Sequence, residues 1–227
     1  MKKLTFLFIA LIGISFFVQS CKDKSTADKA EVGEATEVAA VSGEKFTVDG
    51  RNSIINWEAS KVTGKHNGTI NIASGEFYLA DGGITSGSFL IAMNSIIVND
   101  LEPGKGKEDL EAHLRGTASD KADDFFNSNE FPTAKYEITK TTTLDNDPDA
   151  THLVYGNLTL KGVTKEVGFK AKVAVEGDMI KVTAPLFMIN RTDFGIKYGS
   201  AKFFDNLADK AINDEFGIAI NLSANKG

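Results

Sequence analysis

The sequence predicts an all-β fold with a short helical insertion, arranged as an antiparallel barrel of about eight strands. Three observations lead there. Apolar and polar residues alternate at period two along most of the chain after Phe46. Turn signals rich in Gly, Asn and Asp separate the alternating runs. No regular strand–helix repeat appears, so the pattern does not fit a parallel sheet.

The strands follow in order. Ile55, Trp57 and Ala59 alternate with Asn56, Glu58 and Ser60, and Ile70 and Ile72 alternate with Thr69, Asn71 and Ala73. Phe77 and Leu79 follow Gly75, and Thr85 to Met93 places Phe89, Ile91 and Met93 on one face. Runs at 136–142 and 153–160 come next. Val167, Phe169, Ala171, Val173 and Val175 form the clearest alternation, then 180–189, and Phe216, Ile218, Ile220 and Leu222 close the chain. Turns are expected at Asn67-Gly68, Asp81-Gly82-Gly83, Asp145-Asn146-Asp147-Pro148 and Glu176-Gly177-Asp178. Two segments break the pattern and read as short helices, 107–114 and 119–126, the second with Ser119 at the N-cap position.

The N-terminus has a different character. Lys2 and Lys3 precede an uncharged, mostly apolar stretch of 15 residues, Leu4 to Val18. That length suits the core of a secretory signal and is short of the roughly 20 residues of a membrane span. The sole cysteine follows at Val18-Gln19-Ser20-Cys21, in a pattern that resembles a lipobox, where the thiol takes the lipid. An exported protein stabilised by disulfides would carry cysteines in pairs. The expected organisation is therefore a signal peptide over 1–20, a lipidated Cys21 with a flexible tether over 21–44, and a barrel over 45–227. Between Lys22 and Glu44 there is neither an aromatic residue nor a proline, and no apolar stripe to bury. The expected location is the cell envelope, lipid-anchored on the periplasmic side or at the outer-membrane surface.

The formal charge is −6 over 227 residues, which argues against non-specific nucleic-acid binding and against a polybasic membrane patch. The hydrophobic fraction of 42%, with 16 Phe, is enough for a substantial core. Chemistry-bearing patterns are sparse. His66, His113 and His152 are far apart and lack short metal-ligand spacing, so no metal site is read. There is no Gly-x-Ser-x-Gly elbow and no cysteine nucleophile besides Cys21. Adjacent acids such as Asp123-Asp124 do not face each other on a helix and make poor acid/base partners.

Several segments resemble the YceI-like family. Phe46-Thr47-Val48-Asp49 with Ser53 to Trp57 is similar to its opening strand, and His66, Gly68 and Gly75-Glu76-Phe77 fit the next strands. His113-Leu114, Asp124-Phe125-Phe126 and Phe131-Pro132 are similar to its "HL…DFF…FP" signature. The segment Gly156-Asn157-Leu158-Thr159-Leu160-Lys161-Gly162-Val163-Thr164-Lys165 resembles "GDLTLHGVTK", with Asn157 for the usual Asp and Lys161 for the usual His. Ile189-Asn190-Arg191-Thr192-Asp193-Phe194-Gly195 resembles "INRSDFG". The resemblance runs from about Phe46 to Leu222 and implies a lipocalin-like barrel that binds polyisoprenoid lipid without covalent chemistry. It also implies members that often pair, so a homodimer is an expectation. The His-to-Lys161 departure means that no role of the family's histidine carries over to this position.

On this reading the protein needs no cofactor and is not an enzyme. Its ligand is an isoprenoid, a quinone or a similar amphiphile. The candidate cavity lining is Trp57, Ile70, Ile72, Phe77, Phe89, Ile91, Leu158, Leu160, Phe169, Phe187 and Ile218. The candidate polar groups at the mouth are His66, His113, Asn190, Arg191 and Asp193, where Arg191 and Asp193 are positioned to brace a loop. The same alternation also describes a filled, purely structural barrel. The main alternative, ahead of that filled barrel, is an envelope enzyme or metal-dependent factor in which His66, His113, Arg191 and Asp193 converge at the mouth.

Overall fold

The structure is a computed structural model and describes residues 27–227. The expected signal peptide and Cys21 lie outside the described residues. Strands run in the order β1 (Asp28–Lys29), β2 (Glu31–Glu34), β3 (Glu44–Val48), β4 (Ile54–Lys61), β5 (Gly64–Ala80), β6 (Gly83–Ala92) and β7 (Ile97–Val98). After helix α1 (Lys107–Arg115) come β8 (Thr133–Thr143), β9 (His152–Leu160), β10 (Val163–Glu176), β11 (Met179–Asn190) and β12 (Glu215–Lys226). Strands β4, β5, β6, β8, β9, β10, β11 and β12 pair antiparallel in a ring that closes through β11–β12 and β12–β4. This is the eight-stranded barrel the alternation predicts. Closure leaves each wall strand paired on both sides, which removes the exposed edges of an open sheet.

Period-two burial places the core on the concave side. On β11, for example, Ile180, Val182 and Ala184 are buried while Lys181 and Thr183 are exposed. Tight turns keep the register: Asp81-Gly82 and Lys161-Gly162 both take left-handed φ at two successive positions, the backbone that two-residue hairpins require. Pro185 sits in the register break of β11 between Ala184 and Phe187, where a missing N–H costs no ladder bond.

Three local expectations differ. Asn67-Gly68 is not a turn but lies within β5, and the turn falls at Val62-Thr63. A Cβ at position 68 would come within 1.7 Å of the Ile97 carbonyl oxygen, so this glycine lets β7 approach β5. The runs at 70–73 and 77–79 are one strand, kinked by register breaks. The segment 119–126 forms turns rather than a helix, with Asp120 at φ 60° interrupting any helical path. The expected first helix forms as α1. Acids Glu108 and Asp109 occupy its first turn, Arg115 its last, and Gly116 ends it in the left-handed region.

The segment expected as a free tether is partly wall. β10 pairs with β11 only from Lys172↔Thr183 to Glu176↔Met179, which leaves the other half of that seam unzipped. β1 fills it from one side, parallel to β11 at Phe187 and Met188, and β2 from the other, antiparallel to Lys165–Gly168 of β10. The chain then crosses the outside of the barrel. Thr36 bonds Asn157, and the Ala39 amide donates to the Ile138 carbonyl at 3.0 Å. The side-chain amide of Asn157 accepts from the Thr36 N–H at 3.0 Å and donates to the Thr36 carbonyl at 2.7 Å, a double role that the usual Asp at this position does not fill. Lys165–Glu34 and Lys170–Asp28 ion pairs lie along the same path at 2.7 and 3.2 Å. The strap was not visible as structure in the sequence because backbone bonds and surface pairs hold it, without an apolar stripe.

At the end where β11 runs into β12, Arg191 is 4% exposed. Its guanidinium donates to the carbonyls of Asn213, Ile196, Tyr198 and Ile212 and to the Asp214 carboxylate at 2.7–3.3 Å. Burial pulls its pKa down, and Asp214 opposes that shift. The expected Arg191–Asp193 brace is corrected: Asp193 is exposed, and Arg191 takes Asp214 as its carboxylate because the long connection folds back over it. Residues 27–227 contain the closed sheet, its strap and a single hydrophobic core.

Two outcomes follow from these contacts. Arg191→Leu leaves five acceptors without a donor and is expected to lower stability by about 3–5 kcal/mol in denaturant titration. Arg191→Lys should recover little of it, since an ammonium does not span the same fork. Ala30→Pro removes the N–H that bonds the Met188 carbonyl at 2.9 Å. It is expected to cost about 1–3 kcal/mol and to speed hydrogen exchange at 165–168, while 172–176 stay protected.

Candidate functional site: the barrel interior and its mouth

The interior is walled by side chains from nearly every barrel strand. One row is aromatic. Phe89 stacks on Tyr136 with centroids 5.3 Å apart, Tyr136 meets Phe169 at 5.6 Å, and Phe169 stacks on Phe187 at 4.6 Å. This row runs β6, β8, β10, β11 and passes over β9, where Gly156 lies beneath Tyr136. A Cβ there would sit 2.4 Å from the ring. The Tyr136 hydroxyl donates to the Val167 carbonyl at 2.9 Å, and burial together with nearby Glu166 keeps its pKa well above the usual phenol range. Its polar atom is thus satisfied within the wall, so an otherwise apolar lining stays apolar.

Against this row lies a cavity of about 70 Å³. Of the predicted lining, Ile70, Phe89, Ile91, Leu158, Leu160, Phe169, Phe187 and Ile218 border it. A second cavity of about 70 Å³ lies toward the mouth and shares Ile70, Phe126, Phe216 and Ile218 with the first. Trp57 borders this second one, with its indole N–H donated to the Ile97 carbonyl at 3.2 Å. The second cavity in turn shares Trp57, Ala59, Leu114, Phe125 and Ile212 with a pocket of about 360 Å³ open to the surface. Through these shared residues the two apolar cavities and the polar-rimmed surface pocket follow one another from the middle of the barrel to its mouth.

Ile72 and Phe77 do not line this track. They are buried at 4% and 2% and fill the core toward the other end, where β3 takes the place of β4 in the wall between β5 and β12. Lining residues that the sequence reading missed include Ile55, Met93, Ala134, Tyr136, Val167, Ile189, Phe216 and Ile220. Most lie on the inward phase of strands already recognised, so alternation was a sufficient signal for them. Phe126 comes from the turns that follow α1, which plug this end of the barrel: Phe125 and Phe126 border the cavities there.

The polar candidates at the mouth separate into two kinds. His66 and His113 both border the surface pocket, and each already has a carboxylate. His66 Nδ1 lies 2.8 Å from Asp100, and His113 Nε2 lies 2.7 Å from Asp124. Burial pushes the Asp100 carboxyl up, but its bonds from the Asn67 N–H and His66 outweigh that and hold it below the usual range. The His113 ring stands edge-on to Phe125 and Tyr198 at 4.9 and 5.0 Å. Asn190 caps the turn that follows β11, accepting from the Thr192 N–H at 2.9 Å, and Arg191 is consumed by the loop contacts above. Convergence of His66, His113, Arg191 and Asp193 into one reactive cluster is therefore corrected to two His–Asp pairs, a buried structural arginine and an exposed aspartate. Among the described residues no group of three or more His, Cys, Asp or Glu is placed to hold a metal ion. Lys161 fastens the plug: its ammonium donates to the Asp123 carbonyl at 2.6 Å.

Likeness to solved structures is clear in fold and low in sequence. The chain aligns with BcnA of Burkholderia cenocepacia at TM-score 0.58 and 18% identity, covering 78% of this chain and 98% of that one. It aligns with a polyisoprenoid-binding domain from Saccharophagus degradans at TM-score 0.57 and 16% identity, covering 84% of this chain and 100% of that one. No curated protein matches the chain. The YceI-like domain profile matches residues 46–224, the whole barrel apart from its N-terminal strap and the last residues, and the chain therefore belongs to the YceI-like domain family.

Proposed function

We propose that the protein binds the hydrocarbon chain of an amphiphilic lipid of the polyisoprenoid class along this track, and that it carries or sequesters the lipid without covalent chemistry. The observation behind the reading is the apolar track itself: two cavities with shared walls and a polar-rimmed opening at one end. The polyisoprenoid-binding domain with the same fold supports the ligand class. Such a site suits a long apolar chain inside with its head group at the rim, where His66 and His113 offer polar contacts.

The cavities are smaller than the roughly 300–1,000 Å³ of ordinary ligand pockets. Entry of a chain therefore requires Phe126 and Phe216, which stand between the two, to turn aside. Both are only partly buried, and Phe126 hangs from a loop rather than a strand. Burial of chain and walls then contributes about 25 cal/mol per Å² of apolar area, less the cost of ordering. In this reading Cys21 is lipidated and keeps the barrel at a membrane of the cell envelope, outside the cytoplasm.

Mass spectrometry of an organic extract, followed by uptake of a polyprenyl lipid into the purified domain, tests the ligand. Stoichiometric lipid is expected in wild type. Ala134→Phe, which fills the first cavity from β8, is expected to cut uptake at least about tenfold, equal to the loss of about 1.4 kcal/mol of binding, with the strand signature in circular dichroism kept. A wild-type protein that takes up no polyprenyl chain, or a filled variant that takes up as much, would sink the reading. For the anchor, Cys21→Ser is expected to move the protein from the membrane fraction to the soluble one. Unchanged fractionation would remove the lipidation proposal and leave the cavity untouched.

A further inference from the structure

The mouth of the barrel carries surface features that the lipid-binding reading does not use. The exposed aromatic side chains among the described residues are Tyr198, Phe203 and Phe204, at 39%, 42% and 49%, and all lie on the β11–β12 connection. Val62, at 70%, tips the neighbouring β4–β5 hairpin, and its amide bonds the Ala211 carbonyl of that connection. Folding thus gathers the four into one loop cluster beside the surface pocket, which Tyr198 itself borders. An exposed aromatic cluster of this kind is unusual on a surface facing only water.

The cluster is ringed by cations. Lys61, Lys65, Lys197, Lys202 and Lys210 are exposed, and among the described residues none has a carboxylate within 4 Å. Lys197 and Lys202 stand 4.9 and 5.5 Å from the centroid of the Phe203 ring. Elsewhere on the barrel Lys45, Lys135, Lys165, Lys181 and Lys226 are ion-paired, while Lys140 and Lys172 are exposed and unpaired without an exposed aromatic side chain beside them. Asp193, Asp205 and Asp209 lie in the same loop outside any ion pair and Asp214 is taken by Arg191, so the five lysines outnumber the acids left unpaired in that loop on a chain whose overall charge is −6. Aromatic tips backed by lysines match the boundary between headgroups and acyl chains of an anionic bilayer.

We propose that the mouth rim of the barrel, with Val62, Tyr198, Phe203 and Phe204 at its tip and Lys61, Lys65, Lys197, Lys202 and Lys210 around them, docks on the anionic surface of a lipid bilayer. Docked this way, the open end of the apolar track faces the acyl chains, and a lipid enters it without crossing water. The purpose of docking rests on the lipid-binding reading, but the docking itself does not. Vesicle binding by the domain free of polyprenyl lipid therefore separates the two: docking fails on its own if vesicles are not bound while polyprenyl uptake persists.

The test is co-sedimentation of residues 27–227 with phosphatidylcholine vesicles and with mixed phosphatidylcholine–phosphatidylglycerol vesicles. The wild type is expected to pellet with the mixed vesicles and to be released by high salt. Phe203→Ser with Phe204→Ser, and separately Lys197→Glu with Lys202→Glu, should each weaken binding at least about tenfold. Val175→Ser with Lys181→Glu, at the opposite end, should leave it unchanged. Absence of wild-type binding, equal binding to neutral and anionic vesicles, or full binding by the rim variants each overturns the proposal.

Discussion

A sheet that closes on itself must satisfy the backbone of every strand, and here the closure is incomplete without the N-terminal strap. β10 and β11 share hydrogen bonds over only about half of their common length. Past Thr183 they part, and without a further partner the seam would leave donors and acceptors unpaired along both strand edges. β1 and β2 take up those groups from either side. Parting the strands provides width for the aromatic row, since Phe169 and Phe187 stack on either side of the seam. The wall, the cavity beside it and the path of the N-terminal chain are consequences of the same interrupted pairing.

The interior shows how an apolar track is kept from collapsing or filling with water. Gly156 makes room for Tyr136 to lie across β9, and the hydroxyl of that ring is bonded in the wall. The rings on either side of Tyr136 hold it at stacking distance. No polar atom of this row asks for a water molecule, and a polar group left unpaired there would cost about 1–3 kcal/mol. The two cavities beyond share Phe126 and Phe216, both half-buried, together with Ile70 and Ile218.

The two ends of the barrel differ in kind. At one end Ile72 and Phe77 fill the core and β3 completes the wall between β5 and β12. At the other, long connections fold over an opening and are fastened by specific contacts: Arg191 to four carbonyls and Asp214, Lys161 to the Asp123 carbonyl, and Arg115 to the Ile96 carbonyl. Such contacts hold loops in place without an apolar core beneath them. They also explain why polar residues of the family motifs cluster at this end while serving the loops more than any ligand.

Much of this was legible in the sequence. Period-two alternation reports which side chains face inward, because strand geometry is local, and it marked eight of the residues around the first cavity. Most of the turn residues and α1 were readable for the same reason. The rest depends on partners distant in the chain. Asn67-Gly68 looks like a turn until β7 is found packed on it, and Arg191 looks free until the 196–214 segment folds back. Residues 28–34 look solvated until an unzipped seam offers them hydrogen bonds. Ile72 and Phe77 share the inward phase of Ile70 and Phe89, yet only the closed barrel separates filled core from open track. The sequence by itself determined the strands, their faces and the barrel. Tertiary structure alone decided where the wall parts, which end stays open and which charges gather there, because those depend on contacts between residues that no local pattern relates.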